Sequence, residues 1–252
     1  MAEKLGEKMM ARLGVWVGNL LFPRGANCLC CHDPRLAALE DCLCDRCREE
    51  LKNLRVPPEA CDRCLSPVKK GKKCSRCASA LMKEIDRVFA PYQYKNAVRT
   101  LIHAFKFNAC NEALPILADA MEMALAERDF DCLVPVPLHP KRLRQRGVNQ
   151  ALLMAEALAR RTGIPVCELL RRVHYHRPQS LLSEKERMKN VEDAFLAEET
   201  AKGLKILLID DVRTTGSTAH ACAKALKKAG AYSVSLCTAA VVYKYPRKKS
   251  RP

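Results

Sequence analysis

Four C-x-x-C pairs between residues 28 and 77 constrain the fold of this chain more than any other feature of its sequence. A C-x-x-C turn directs two sulfurs at one ion, and two such turns complete the tetrahedral site that Zn²⁺ prefers. The segment 28–80 has many lysines and few long apolar runs, so it cannot bury much surface and needs metal to fold. We therefore predict two structural Zn²⁺ sites. Their ligands are Cys28, Cys31, Cys44, Cys47, Cys61, Cys64, Cys74 and Cys77.

The sequence leaves the pairing of these turns open. Sequential pairing gives two ribbons, one over residues 28–47 and one over 61–77, and a crossed pairing is the alternative. Cys30 and Cys42 are spare thiols that a small shift would bring into the place of a ligand. A redox role for the thiols is the second interpretation. No open coordination position is suggested, so we do not expect catalysis at the zinc.

Paired cysteines without a secretory signal indicate a reducing compartment, and we expect a cytoplasmic protein. The apolar run Leu13–Phe22 is too short to span a bilayer and contains two glycines, so we expect no transmembrane segment. We predict a short amphipathic helix in this region. The alternative is a peripheral contact with the inner membrane through Trp16 and Phe22.

Strands and helices alternate after residue 85, which predicts an α/β fold: a parallel sheet flanked by helices. Arg87–Tyr94 alternates like one strand, and residues 132–137 form another, followed by a basic loop. A helix is expected between Gly147 and Gly163, where its pattern stops. We divide the chain into a short N-terminal helix, a double zinc ribbon, the α/β domain and a basic tail. These cover residues 1–27, 28–80, 81–243 and 244–252.

The stretch ILLIDDVRTTGST at residues 206–218 carries the strongest functional signal. Its first four residues are apolar, as in a central parallel strand, and ligands bind beyond the carboxyl ends of such strands. The loop that follows has hydroxyls around one glycine and no lysine, so it suits a terminal monophosphate rather than a triphosphate. Two adjacent carboxylates accept hydrogen bonds, as a sugar diol with Mg²⁺ requires. The alternative is a polar turn whose aspartates cap the helix, which explains one acid but not two.

This stretch resembles the phosphoribosyltransferase signature D-D-x-x-x-T-G-[ST]-T. The resemblance implies that Asp210 and Asp211 bind the ribose hydroxyls of 5-phosphoribosyl-1-pyrophosphate (PRPP), while the loop holds its 5-phosphate. The implied loop residues are Thr214, Thr215, Gly216, Ser217 and Thr218. Arg213 stands where that family more often has an aliphatic residue, and we expect it to face the ligand or the solvent.

A pyrophosphate group needs cations on the far side of the ribose, and two arginine-rich segments offer them. As an alternative, these arginines are ordinary solvated surface. The formal net charge of +16 favours a phosphate partner of some kind. The predicted pyrophosphate ligands are Arg142, Arg144, Arg146, Arg172 and Arg187.

The order of motifs also resembles one branch of that fold. Paired C-x-x-C turns, LIHAFKF, PVPLH…RGVNQ, NVEDAF and LLIDDVRTTGST look like the ComF/ComFC family over essentially all of residues 20–243. The resemblance implies a type I phosphoribosyltransferase-like domain behind a zinc-ribbon module, and a role in DNA uptake during natural transformation. For this role, the candidate protein partner is a competence helicase.

Three functions fit these residues. The first is a phosphoribosyltransferase whose acceptor and catalytic residues are unknown. The second is a module in which the ribbons and basic surface bind single-stranded DNA electrostatically, because aromatic residues for base stacking are few. The third is a PRPP sensor without chemistry or DNA affinity. We expect a ComF-type protein that binds PRPP and single-stranded DNA, with an enzyme or sensor of nucleotide metabolism as the alternative.

Overall fold

A computed structural model describes residues 27–33, 42–68, 74–78, 82–107, 112–126, 128–173 and 194–243. Three predictions fall outside these residues: the helix before residue 27, the position of Arg187, and the basic tail after residue 243. Across the described part of the chain, no helix is long and apolar enough to cross a membrane.

A parallel sheet forms the centre of the described structure. Its strands lie in the order β1, β7, β6, β3, and β2 follows β1 along the same edge of β7. A separate antiparallel hairpin joins β4 and β5. The bounds are β1 Val88–Phe89, β2 Tyr92–Gln93, β3 Cys132–Pro135, β4 Leu170–Arg172, β5 Phe195–Ala197, β6 Lys205–Arg213 and β7 Ser233–Val241.

Both faces of the central strands are covered, as the apolar run in β6 predicts. Successive side chains of a strand point to opposite faces, so Leu207 and Ile209 join one hydrophobic core while Ile206 and Leu208 join the other. Helices α2, α3 and α5 pack in the first core, and α6 packs in the second with the β4–β5 hairpin. The helices are α1 Asp45–Asn53, α2 Asn96–Phe107, α3 Ala113–Ala124, α4 Pro140–Arg146, α5 Gln150–Thr162 and α6 Ser217–Lys228.

The predicted helix between Gly147 and Gly163 is confirmed as α5. Its first turn is capped by Asn149, whose side-chain oxygen accepts from the N–H of Ala151 at 3.1 Å. It ends at Gly163, which has a φ of 75°. This left-handed conformation suits glycine at a helix C-terminus, so the sequence marked both ends of the helix.

Two local predictions were wrong. The stretch Arg87–Tyr94 does not form one strand but two short ones, because Pro91 lacks an N–H for a sheet ladder and its carbonyl accepts from Val56 at 3.0 Å. The predicted basic loop after β3 is the helix α4. Pro140 begins it, where a missing N–H is tolerated, and His139 caps it by accepting from the N–H of Lys141 at 3.1 Å.

The cysteine-rich segment packs against the sheet domain on both faces. Cys28, Cys44 and Cys47 share the hydrophobic core of α2, α3 and α5, whereas Cys64 belongs to the core of α6. Arg63 fixes the second part of the segment, since its guanidinium donates to the carbonyls of residues 82 and 85 at 2.9 Å. The two parts of the segment therefore lie on opposite sides of the sheet.

Candidate functional site

The eight predicted metal ligands form two groups of four in sequential pairing. The sulfurs of each group lie within 4.8 Å of one another. Individual Sγ···Sγ distances are 3.8 Å for Cys31–Cys44 and 3.5 Å for Cys64–Cys74, close to the roughly 3.8 Å edge of a tetrahedral Zn–thiolate site. Both groups fit zinc. We call Cys28, Cys31, Cys44 and Cys47 the first cluster, and Cys61, Cys64, Cys74 and Cys77 the second cluster.

Backbone N–H groups already point at the sulfurs of the first cluster. The N–H of Cys44 donates to Cys28 Sγ at 3.4 Å, and the N–H of Cys47 donates to Cys44 Sγ at 3.4 Å. Burial acts to raise the pKa of Cys28, but hydrogen bonds from nearby backbone N–H groups outweigh it and lower this pKa to about 7. A thiolate is the form that binds zinc, so these hydrogen bonds favour the metal-binding form of Cys28.

The spare thiol Cys30 lies near the first cluster but is not one of its four sulfurs. Its Sγ donates to the carbonyl of Ala97 in α2 at 3.6 Å. Burial, followed by the nearby Cys28, raises the pKa of Cys30 to about 12. A buried neutral thiol fits a packing role better than a metal ligand.

The two adjacent aspartates of the signature lie inside strand β6, not beyond it. We expected the chain to turn before them, but β6 continues to Arg213, and Asp210 and Val212 both pair with β7. Consecutive side chains therefore point to opposite faces of the sheet. Asp210 faces the loop and α6, whereas Asp211 Oδ2 lies 2.6 Å from the Nζ of Lys106 at the end of α2.

Asp210 titrates unlike an ordinary aspartate. Desolvation and the neighbouring Asp211 carboxylate raise the pKa of Asp210 to about 7, although the Asp211 N–H donates to it at 2.9 Å. A strongly raised pKa in a carboxylate at the end of a central strand is typical of a functional site. A cation or a hydroxyl donor at this position would favour the ionised form.

The loop after β6 has the geometry of an anion cradle. Gly216 takes a φ of 88° at the start of α6, and no side chain caps that helix. The hydroxyls of Thr215 and Ser217 lie 3.0 Å apart, and the Ser217 N–H donates to Thr215 Oγ1 at 3.4 Å. The enclosed cavity beside Asp210 and Thr218 is about 30 Å³, room for about one water. This space is too small for a sugar phosphate, which would therefore bind on the side of the loop that faces the solvent.

Three of the five predicted pyrophosphate arginines lie around His139. Arg142 and Arg144 come from α4, and Arg172 comes from β4. Desolvation, then the charges of Arg172, Arg144 and Arg142, lower the pKa of His139. Arg172 also lies within electrostatic range of Cys222 in α6. Its charge lowers the pKa of Cys222, whereas the charge of Asp210 raises it. Arg146 belongs to α4, but its side chain is outside the description, as is Arg187 entirely.

Sequence reasoning missed two residues and misplaced a third. Lys106 was present in the quoted motif LIHAFKF, but nothing in its spacing revealed that it pairs with Asp211. Arg76 donates from Nη1 to the carbonyl of Thr215 at 2.8 Å, and its place inside a C-x-x-C turn gave no sign of this. Arg213 faces neither ligand nor solvent; it is 2% exposed, and its Nη2 donates to the Cys64 carbonyl at 2.9 Å.

The fold and the site define the class of this protein. Residues 149–251 match the phosphoribosyl transferase domain, and the two tetracysteine clusters fit a zinc-ribbon module. The chain is therefore a protein with a phosphoribosyltransferase-like domain behind that module.

Comparison with known proteins identifies the family. Competence protein ComFC of Bacillus subtilis is 30% identical over 209 residues, which cover 78% of this chain and 82% of that protein. DNA utilization protein YhgH of Salmonella typhi is 31% identical over 219 residues, which cover 83% of this chain and 94% of that protein. Competence protein F of Haemophilus influenzae is 29% identical over 77% of this chain and 88% of that protein. The chain belongs to the ComF family.

Two solved structures match about half of the chain. The allosteric regulatory enzyme of purine biosynthesis has 21% sequence identity and a TM-score of 0.35, over 50% of this chain and 25% of that chain. Glutamine PRPP amidotransferase from Bacillus subtilis, complexed with ADP and GMP, has 22% identity and a TM-score of 0.35, over 49% of this chain and 25% of that chain.

Proposed function

We propose that this protein binds PRPP with Mg²⁺ at the end of β6, holds single-stranded DNA on its basic surface, and acts in DNA uptake during natural transformation. The proposal includes structural Zn²⁺ in both clusters. The observation that carries the ligand assignment is the position of Asp210. This carboxylate lies half-buried in the carboxyl-terminal half of the central parallel strand β6, beside a hydroxyl-rich loop with a left-handed glycine.

The parts of PRPP have separate partners in this arrangement. The 5-phosphate would lie against the loop Thr214–Thr218, where backbone N–H groups and the start of α6 favour an anion. The ribose hydroxyls would reach Asp210, with Asp211 on the Lys106 side of the strand. The pyrophosphate would extend toward the arginines around His139. Mg²⁺ would supply charge neutralisation between the pyrophosphate and the carboxylates.

The ligand site is tested by removing both carboxylate charges. We expect Asp210→Asn combined with Asp211→Asn to abolish PRPP binding in titration calorimetry, since each lost acceptor costs about 1–3 kcal/mol of affinity. The matched control is Asp119→Asn. It removes the charge of an aspartate on α3 whose Oδ1 lies 2.5 Å from the Nε of Arg161 on α5. Zinc content should be unchanged in all variants. PRPP binding by the double variant at wild-type strength would refute the site.

Chemistry at the site is a separate question from binding. A transferase would break the bond between the ribose anomeric carbon and pyrophosphate and form a bond from that carbon to an acceptor nucleophile. Release of pyrophosphate from PRPP, measured with and without single-stranded DNA, separates an enzyme from a sensor. Release that is absent in the Asp210→Asn, Asp211→Asn variant would assign it to this site.

The DNA-binding part of the proposal is supported by charge and by the names of the relatives. The net charge is +16, and Arg144 is exposed on α4. Reversing Arg144 and Arg146 to Glu should weaken binding of all single-stranded sequences alike and make its salt dependence less steep, because phosphate contacts release counterions. The control with equal charge is Arg160→Glu with Lys202→Glu, two exposed positions at the end of α5 and before β6.

Fluorescence anisotropy across a salt series measures this effect. An affinity that does not change with salt, or an equal loss in both variants, would contradict an electrostatic footprint around α4. In a transformable host, loss of transformation in the Asp210→Asn, Asp211→Asn strain links the ligand site to uptake. Normal transformation in that strain would show that the site has another role.

A further inference from the structure

The second cluster is in direct contact with the loop that we assign to the phosphate. Arg76 lies between the ligands Cys74 and Cys77, and its Nη1 donates to the carbonyl of Thr215 at 2.8 Å. These residues are 139 positions apart in the sequence. The metal-binding turn and the loop are thus joined by one hydrogen bond at the centre of the predicted anion cradle.

Arg213 makes a second connection from the other side. It is the last residue of β6, it is 2% exposed, and its Nη2 donates to the carbonyl of Cys64 at 2.9 Å. A Cβ at Gly216 would lie 4.0 Å from its Cγ, so the side chain also lies against the turn of the loop. Its Nε and Nη1 are buried and make no hydrogen bond to the described residues.

Metal in the second cluster would place negative charge beside two guanidinium groups. Arg213 lies within electrostatic range of Arg76 and of the sulfurs of Cys64, Cys74 and Cys77. Zn²⁺ with four thiolates carries a net charge of about −2, which matches the two guanidinium groups. A metal-free cluster of neutral thiols would not supply this negative charge to the buried guanidinium of Arg213.

We propose that metal in the second cluster controls the phosphate loop, and that Arg76 and Arg213 are the positioning residues that couple the two sites. This inference rests on the proposed function, because the loop must bind a ligand for the coupling to act. Coupling between two sites is reciprocal. Loss of zinc from the second cluster therefore weakens PRPP binding, and bound PRPP raises the affinity for that zinc by the same factor. We expect this factor to be about tenfold and to appear as slower release of the zinc.

The first cluster provides a matched control within the same chain. Arg46 in the turn C-D-R-C at 44–47 occupies the same place as Arg76 in C-S-R-C at 74–77. Arg46 is exposed, whereas Arg76 is half-buried and bonded to the loop. Arg46→Gln and Arg76→Gln thus remove the same group from equivalent turns, and neither changes a metal ligand.

The first experiment measures zinc release to a chelating dye, with and without PRPP and Mg²⁺. In the wild type, PRPP should slow the release of one zinc per chain about tenfold and leave the other unchanged. Arg76→Gln should remove this protection and weaken PRPP binding about tenfold, while Arg46→Gln behaves as the wild type. Equal behaviour of the two variants would overturn the coupling even if the wild type binds PRPP.

The second experiment needs no ligand, so it separates failure of the coupling from failure of the proposed function. Hydrogen exchange of the amides at 215–218 should become faster in Arg76→Gln and after chelation of zinc, and stay unchanged in Arg46→Gln. Unchanged exchange in all three would overturn the coupling. Faster exchange in a chain without any PRPP affinity would support the link between cluster and loop and refute the ligand.

Discussion

The two tetracysteine clusters have the same type of ligands and share the C-x-R-C turn, but they pack in different parts of the molecule. The first cluster is packed into the core formed with α2, α3 and α5. The second lies on the other face of the sheet, in the core of α6, where Arg76 reaches the loop after β6. The first cluster is thus part of a hydrophobic core, whereas the second also contacts a candidate binding loop.

The difference arises from the arginine inside the turn and from what lies opposite it. Arg46 points into solvent. Arg63 and Arg76, its counterparts in the second cluster, donate to backbone carbonyls of residues 82, 85 and 86 and of Thr215. Turns with the same sequence pattern therefore differ in what they contact. In metal sites generally, residues around the ligands influence the properties of the site.

The largest expected effect comes from breaking one cluster at a time. Cys47→Ser and Cys64→Ser should each reduce zinc from about two ions to one per chain. We expect Cys47→Ser to lower the free energy of unfolding by several kcal/mol with nearly normal PRPP affinity in the folded protein. Cys64→Ser should weaken PRPP binding at least tenfold. Metal analysis, thermal unfolding and calorimetry measure the three quantities; equal effects on PRPP affinity would abolish the distinction between the clusters.

A sharper test removes the buried charge next to the second cluster without touching a ligand. Arg213→Met keeps much of the side-chain volume, so the cost in packing is small. The metal-loaded cluster loses a counter-charge, and we expect its zinc to be released about tenfold faster while the first cluster is unaffected. Arg46→Met is the control. Release kinetics identical to the wild type would show that the guanidinium does not stabilise the metal.

The pH dependence of ligand binding follows from the raised pKa of Asp210, about 7. Below this pH the free protein holds a proton that the ligand-bound carboxylate must release, so PRPP affinity should fall about fivefold between pH 7 and pH 6 and about tenfold for each further pH unit. The ligand-free fold is affected in the opposite sense: the stabilisation from this proton is present at acid pH and is lost as the pH rises through 7.

A variant separates the effect of Asp210 on the pH dependence from the titration of the ligand's own phosphates. Asp211→Asn retains Asp210 but removes one of the charges that raise its pKa, so the fall in affinity should begin at a lower pH than in the wild type. Calorimetry between pH 5.5 and 8 measures both curves. Superimposable curves would show that Asp210 does not release a proton on binding.

The smallest expected effect concerns the spare thiol. Cys30→Ala removes the hydrogen bond to Ala97 and some buried volume, and we expect a loss of about 1 kcal/mol of stability. Zinc content should stay at two ions per chain, since Cys30 is outside both clusters. Loss of a zinc ion would mean that Cys30 replaces a ligand of the first cluster.

The sequence predicted those features that depend on neighbours along the chain. The C-x-x-C spacing placed all eight ligands, and caps such as Asn149 and Gly163 placed the ends of α5. The length of the apolar run did not predict where β6 ends. Apolar residues mark only the part of a strand that is buried on both faces, and β6 continues beyond that part. The hydrogen-bond ladder with β7 carries the strand on through Asp210 and Asp211.

The remaining features depend on contacts between distant residues, which no local pattern encodes. Arg213 looked like a loop residue facing ligand or solvent, yet its partner Cys64 is 149 positions away. Lys106 and Asp211 form their ion pair across two elements of the sheet domain. Charge alone indicated that arginines would gather near the site, but only the fold shows that α4 and β4 bring three of them to His139.

The contact between Arg213 and Cys64 also orders events during synthesis. Cys64 leaves the ribosome 149 residues before the arginine that donates to its carbonyl, an interval of roughly 7–30 s at about 5–20 residues per second. The nascent cysteines can therefore take up metal while the sheet that will cover them is still being made. Under the proposed coupling, the loop would then close onto a metal-loaded cluster, and the zinc supply of the cell would decide how much of the newly made protein binds the ligand.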